Sequence, residues 1–233
     1  MKNFLYHFPR GSSRKAAFTL IELLVVISII VILAAMVFPI MNRVSVTQAK
    51  AVAKSQLFQM DTAIKAYQSK YGFYPPGNPA GAYTNTLYYE LVGTLRTNVN
   101  GDPNGAVFYM PLDGSTTSQI NSNDVWTLFR ITGFANSAPT LRGTDERPGP
   151  SSFLKDIKST QLGTIRFGAA QGTILVCSAG GEAPNSTGNS PWRYNSQNPT
   201  NNPGSYDLWV DVYLGSRTNR ISNWSSDPQI VNL

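Results

Sequence analysis

The sequence predicts an α+β fold: a long N-terminal helix, a long irregular insertion, and a small C-terminal antiparallel sheet that covers part of the helix. Two observations carry this. From Phe18 onward the chain reads as one helix, apolar on every side at first and then on a single stripe, until Gly72 and two prolines forbid continuation. Near the other end, residues 206–213 alternate apolar with polar in the two-residue period of a half-buried strand.

Taken in order, residues 1–17 are a separate basic leader carrying Lys2, Arg10, Arg14 and Lys15 and no acid. Residues 18–41 follow as an apolar run of 24 residues with one charge, Glu22. As a helix rising about 1.5 Å per residue it is long enough for the roughly 30 Å hydrocarbon core of a bilayer. The basic leader then belongs on the cytoplasmic side and the C-terminus on the far side. A carboxylate within such a segment costs at least about 2.5 kcal/mol and is rarely kept without a partner. Cleavage between Ala17 and Phe18 creates that partner, an α-amine four residues before Glu22 and on the same helical face. The amine can pair with its own Glu22 or, in staggered copies, with a neighbour's.

Other readings of this run differ in what they make of the acid and the proline. An ordinary signal peptide cut after Ala34 and Ala35 has a shorter apolar core and no acid in it. A plain single-span anchor lets Glu22 snorkel toward the interface beside Lys15. Pro39 either bends the helix or marks the end of its membrane part.

Residues 42–72 continue as an amphipathic helix. Ala49, Ala53, Leu57, Met60, Ile64, Tyr67 and Tyr71 recur at helical spacing on one stripe, while Lys50, Lys54, Asp61, Lys65 and Lys70 fall off it. The stretch 73–189 is rich in Asn, Gly, Ser, Thr and Pro, with short apolar islands of which Gly172–Cys177 is the best strand and Leu87–Leu95 a candidate helix. Residues 190–233 form the sheet, with strands expected at 190–194, 206–213 and 220–224.

The leader, the junction A-A/F-T-L-I-E-L and the apolar run closely resemble the N-terminal signal of type IV pilins and type II secretion pseudopilins. That resemblance implies a prepilin peptidase that cuts between Ala17 and Phe18 and N-methylates Phe18, with Glu22 as the family's assembly glutamate and Pro39 at its helix-bending position. Ala17 replaces the usual glycine before the cut. The turn Y-G-F-Y-P-P-G resembles the pseudopilin pattern, and the order P-W-x-Y, Y-D-L-W-V, I-S-N-W resembles the C-terminal sheet of the major secretion pseudopilin, whose last loop is often an acidic calcium site. Here that loop reads L-G-S-R-T-N-R, without an acid, so calcium is not expected there and Asp207 and Asp211 are left as weak candidates.

Composition narrows the function. The net charge of +6 falls to +2 without the leader, which points away from nucleic acid. The one histidine, His7, lies in the leader and the one cysteine, Cys177, in an apolar run, so no triad, histidine metal site or internal disulfide is available, and no enzyme activity and no cofactor are expected. The expected role is a subunit of a type II secretion pseudopilus, with a type IV pilus or DNA-uptake pilin as the alternative and an anchored ligand-binding domain as the remoter one. The resemblance implies as partners prepilin peptidase, further pseudopilins including its own copies, an inner-membrane assembly platform, and lipid before assembly. It places the protein in the bacterial inner membrane, its C-terminal domain periplasmic.

Overall fold

A computed structural model describes residues 18–98, 106–139, 149–183 and 188–232, with the side chains of residues 36–43 and 139 left aside. They fall into two compact units, one ending at Val44 and one beginning at Ser45. Helix α1, Leu20–Tyr71, is assigned through both. In the first unit the large apolar side chains from Phe18 to Leu33 are all exposed. Among the described residues no helix is long and apolar enough to cross a membrane. The side chains described in the apolar run end at Ala35, six residues before Met41.

In the second unit the stripe behaves as expected: Ala53, Met60, Ile64 and Tyr67 are buried, with Leu57 and Tyr71 packed against the same core. Off the stripe, Lys65 pairs with Asp61 at 2.7 Å. The helix stops where the backbone turns left-handed at Gly72 (φ +81°), whose N–H donates to Gln68 O at 2.8 Å, a conformation that glycine adopts without a Cβ penalty.

The stretch 73–189 holds more regular structure than its composition suggests. Helices α2 (Leu87–Val92) and α3 (Ser122–Phe129) accompany strands β1 (Thr94–Asn98), β2 (Val107–Pro111), β3 (Ile120–Asn121), β4 (Ser137–Pro139), β5 (Leu162–Phe167) and β6 (Ala170–Cys177). Strands β7 (Ser190–Pro191), β8 (Arg193–Asn195), β9 (Asp207–Leu214), β10 (Arg217–Ser222) and β11 (Gln229–Val231) complete the chain. The described strands form three sheets, ordered β3-β2-β1-β4, β5-β6-β7 and β11-β10-β9-β8. The last is antiparallel throughout, and Leu208, Val210 and Val212 of β9 join the buried cluster that holds the helix stripe. Gly172 on β6 admits α3: a Cβ there would stand 2.9 Å from Leu128 Cδ1 and 3.2 Å from Ile120 Cδ1.

The single strand expected over 190–194 is two. Ser190 and Pro191 pair with β6, whereas Arg193–Asn195 pair with β9, so the chain changes sheets at Trp192. Trp192 is buried, donates its N–H to Leu175 O at 3.0 Å and accepts from Asn85 Nδ2 at 2.6 Å, which fixes the crossing.

Glu90 of α2 is fully buried and joins three distant segments. Its carboxylate accepts from Tyr67 OH (3.0 Å), Ala135 N–H (2.8 Å) and Asn136 N–H (2.9 Å), while its own carbonyl accepts from Asn136 Nδ2 (2.7 Å). Tyr71 OH donates in turn to Asn136 Oδ1 at 2.6 Å. Burial raises the Glu90 pKa against the opposing pull of these donors. A carboxyl raised on folding contributes most below its unfolded pKa and loses that contribution as pH climbs through the folded value. Glu90→Ala, which strands three donors, two of them buried, should cost about 3 kcal/mol or more in urea unfolding. Lowering the pH toward about 4.5 should stabilise the wild type relative to that variant.

Candidate processing and assembly site

The start of α1 is organised by Thr19 and Glu22. Thr19 donates to Glu22 Oε2 from its backbone N–H at 2.9 Å and from its hydroxyl at 2.7 Å, and Glu22 N–H donates back to Thr19 Oγ1 at 3.3 Å. This reciprocal arrangement is a capping box, written in the sequence as T-L-I-E: a hydroxyl residue at the helix cap and a glutamate three positions on. It satisfies donors that the first helical turn would leave orphaned. Thr19 was the residue that spacing arguments around Glu22 missed, although the capping pattern could have found it.

The box also orients the acid. Oε2 is engaged by Thr19, and Oε1 accepts no hydrogen bond from the described residues. One carboxylate oxygen is thereby tethered by Thr19. Around it, Phe18, Ile21, Val25 and Val26 form a shallow apolar hollow of about 310 Å³. Phe18 itself is 73 % exposed. Glu22 thus presents a tethered carboxylate beside an apolar hollow, one helical turn from Phe18.

Two other sequence-derived positions are outside this description. Ala17 lies outside the described residues, and Pro39 lies within α1 where side chains are left aside, so neither the cut site's full geometry nor a bend at Pro39 is described.

The carboxylates of Asp207 and Asp211, the weak calcium candidates, both bind donors of the chain itself in this fold. Asp207 accepts from the backbone N–H groups of Thr200, Asn201 and Asn202 at 2.8, 2.9 and 2.9 Å and so closes the loop before β9. Asp211 is fully buried on β9 between two arginines. Arg220 binds it in bidentate fashion at 2.7 and 2.9 Å, Arg193 reaches it from β8, and the other arm of Arg193 holds Glu182 at 2.7 Å. Arg220, one of the two basic residues standing in the loop where acids were sought, is thus a structural partner of that aspartate, and its pKa is raised by the bond. Among the described residues no group of three or more acidic, histidine or cysteine side chains could hold a metal.

Residues 12–38 match the family model of the prokaryotic N-terminal methylation motif. No curated protein and no solved structure matches the chain. The chain therefore carries the signal of type IV pilins and pseudopilins, which directs prepilin peptidase processing, on a pilin-like α+β fold with an N-terminal helix and a C-terminal antiparallel sheet.

Mass analysis of the mature N-terminus should find a methylated Phe18; a chain that keeps Met1 or starts near Met36 contradicts the processing site. A chelator should leave the melting temperature unchanged, whereas Asp211→Ala, which strands two partly buried guanidinium groups, should cost about 3 kcal/mol or more in chemical unfolding.

Proposed function

We propose that this chain is a structural subunit of a type II secretion pseudopilus. It is made as a membrane-inserted prepilin, cut and N-methylated at Phe18, and then polymerised through its apolar helix with the C-terminal domain outside the cytoplasm. The observation that carries the reading is the pairing of two features: an apolar helix whose large side chains are exposed all round from Phe18 to Leu33, and a single tethered acid one turn inside it. A helix apolar on every side is stable only when lipid or other helices cover it. Exchanging lipid for helices changes little free energy, so the few polar contacts available decide whether and in what register a subunit joins. The new Phe18 amine and Glu22 supply such a contact, and its formation neutralises two charges that hydrocarbon penalises.

The resemblance of residues 190–233 to the major secretion pseudopilin favours the secretion filament. The elaborate stretch 73–189, with its own sheet β3-β2-β1-β4, favours instead a surface-exposed type IV or DNA-uptake pilin. In both readings the partners are the peptidase, the assembly platform and other subunits, and the chain performs no catalysis.

Glu22→Ala should still be inserted and cut before Phe18 but should enter filaments at least tenfold less well, read by shearing and quantifying the filament fraction. Normal yield from that variant would remove Glu22 from the mechanism. Finding the filament outside the cell envelope as a long surface fibre, rather than as a periplasmic one, would favour the pilus reading.

A further inference from the structure

The second unit has a groove of about 480 Å³ between α1 and the segment that follows β10, to which polymerisation through the apolar helix assigns no task. One wall is a single face of α1, where Lys54, Leu57, Phe58, Asp61 and Lys65 line up at helical spacing over about three turns, or roughly 16 Å. That face shares Leu57 with the core stripe, yet Phe58 is 73 % exposed.

The facing wall holds Trp224, Ser226 and Pro228 and is fixed from behind. Trp224 meets Trp209 of β9 edge to face, with ring centroids 5.6 Å apart. Asn223 accepts from Leu208 N–H at 3.0 Å and donates to Tyr206 O at 3.0 Å, and Ser225 Oγ donates to Asp227 O at 2.8 Å. On the helix wall Asp61 is held as well, by Lys65 at 2.7 Å through one oxygen and by the Tyr206 hydroxyl through the other. A carboxylate offers about four acceptor sites, so these two bonds do not exhaust it.

The lining narrows the class of ligand. Two lysines and Asp61 line the groove, and Asp227 stands 4.0 Å from Lys54, so the charges nearly cancel and favour neither a strong anion nor a strong cation. An apolar ligand would leave the ammonium, carboxylate and hydroxyl groups without partners. Lysine only donates, a carboxylate only accepts and serine does both, so the matching ligand carries many groups that donate and accept alike, which are hydroxyls. Phe58 and Trp224 add two aromatic rings, whose negative faces attract weakly positive C–H groups. A pyranose has both features, C–H groups on its faces and hydroxyls around its rim.

We propose that this groove binds an uncharged oligosaccharide, with one sugar ring against Phe58 and Trp224 and its hydroxyls bonded to Asp61, Ser226 and the two lysines. The elongated shape suits a chain of a few rings laid along α1, and the volume is that of an ordinary small-molecule site. Every residue of the groove belongs to the second unit, so the assignment stands whether or not the chain polymerises.

The test uses full-length protein in a detergent whose head group is not a sugar, titrated by calorimetry with neutral tetrasaccharides of glucose and of N-acetylglucosamine. At least one should bind saturably with a Kd at or below about 1 mM. Phe58→Ala and Trp224→Ala should each weaken binding at least tenfold, whereas Trp224→Phe, which keeps a ring, should stay within threefold of wild type. Ser226→Trp, an exposed position on the groove wall, should block the sugar without altering the melting temperature. Phe58 and Ser226 are exposed, so their variants keep the test decisive even where Trp224→Ala unfolds. The assignment is overturned if neither sugar binds the wild type, if Phe58→Ala and Ser226→Trp bind as the wild type does, or if the groove takes a short extended peptide and neither sugar.

Discussion

The chain depends on one constraint: α1 must satisfy two different surroundings with one continuous run of backbone hydrogen bonds. From Phe18 to Leu33 it has no polar face, so water is a poor solvent for any side of it. From Ala49 onward it has one apolar stripe, which protein must cover, and the sheets of the second unit do so. Everything else follows from how each part is covered. The first part needs a nonpolar environment, and none of the described residues buries it. The second needs an inner surface built from segments far away in sequence, such as β9, whose Leu208, Val210 and Val212 share one buried cluster with Ala53 and Ile64.

Covering the stripe with such distant segments creates a problem of specificity, because apolar surfaces match many partners. Buried polar links resolve it. Glu90 ties α2 to the helix through Tyr67 and to the 135–136 turn, and Asp211 ties β9 to β8 and β10 through two guanidinium groups. Each link is worth little if fully made and costs several kcal/mol if half made, so together they disfavour misaligned packings more than they stabilise the right one. Tyr206 adds a third, donating to Asp61 on the solvent side of the stripe, and burial with that bond raises its pKa far above the ordinary phenol value.

What could be read from the sequence was what repeats locally. The stripe from Ala49 to Tyr71, the stop at Gly72, the strand ending at Cys177 and the alternation from Tyr206 to Val212 are all patterns of near neighbours, and all appear where periodicity places them. What could not be read depends on partners far along the chain. Nothing in L-Y-Y-E-L-V marks Glu90 as buried, since its donors sit 23 residues earlier, at Tyr67, and 45 and 46 residues later, at Ala135 and Asn136. Nothing in S-P-W-R-Y announces that the chain leaves one sheet for another at Trp192. The strands β1 to β4 hide in Asn- and Gly-rich sequence because their pairing is short and their packing modest. At the start of α1, Glu22 stands out in the sequence as the one charge of an apolar run, whereas its Thr19 cap is a hydroxyl that no charge pattern marks.

In the filament proposed above, the work of assembly would be divided between surfaces with different abilities. A helix that is apolar all round can pack against its copies at any rotation, and a smooth apolar rod can also slide along its axis, so the hydrocarbon-like part cannot by itself define a unique lattice. In that filament, an acid tethered by Thr19 at one height would fix the slide by pairing with a neighbour's terminal amine. Rotation remains open until a directional contact away from the axis closes it, and a heterologous contact between C-terminal units is the type that does so without ending the polymer. A filament built this way gains its cohesion from surfaces that choose nothing and its geometry from a few polar or shaped ones. Weakening the latter should therefore disorder the polymer before it weakens the attachment of the subunit to the membrane.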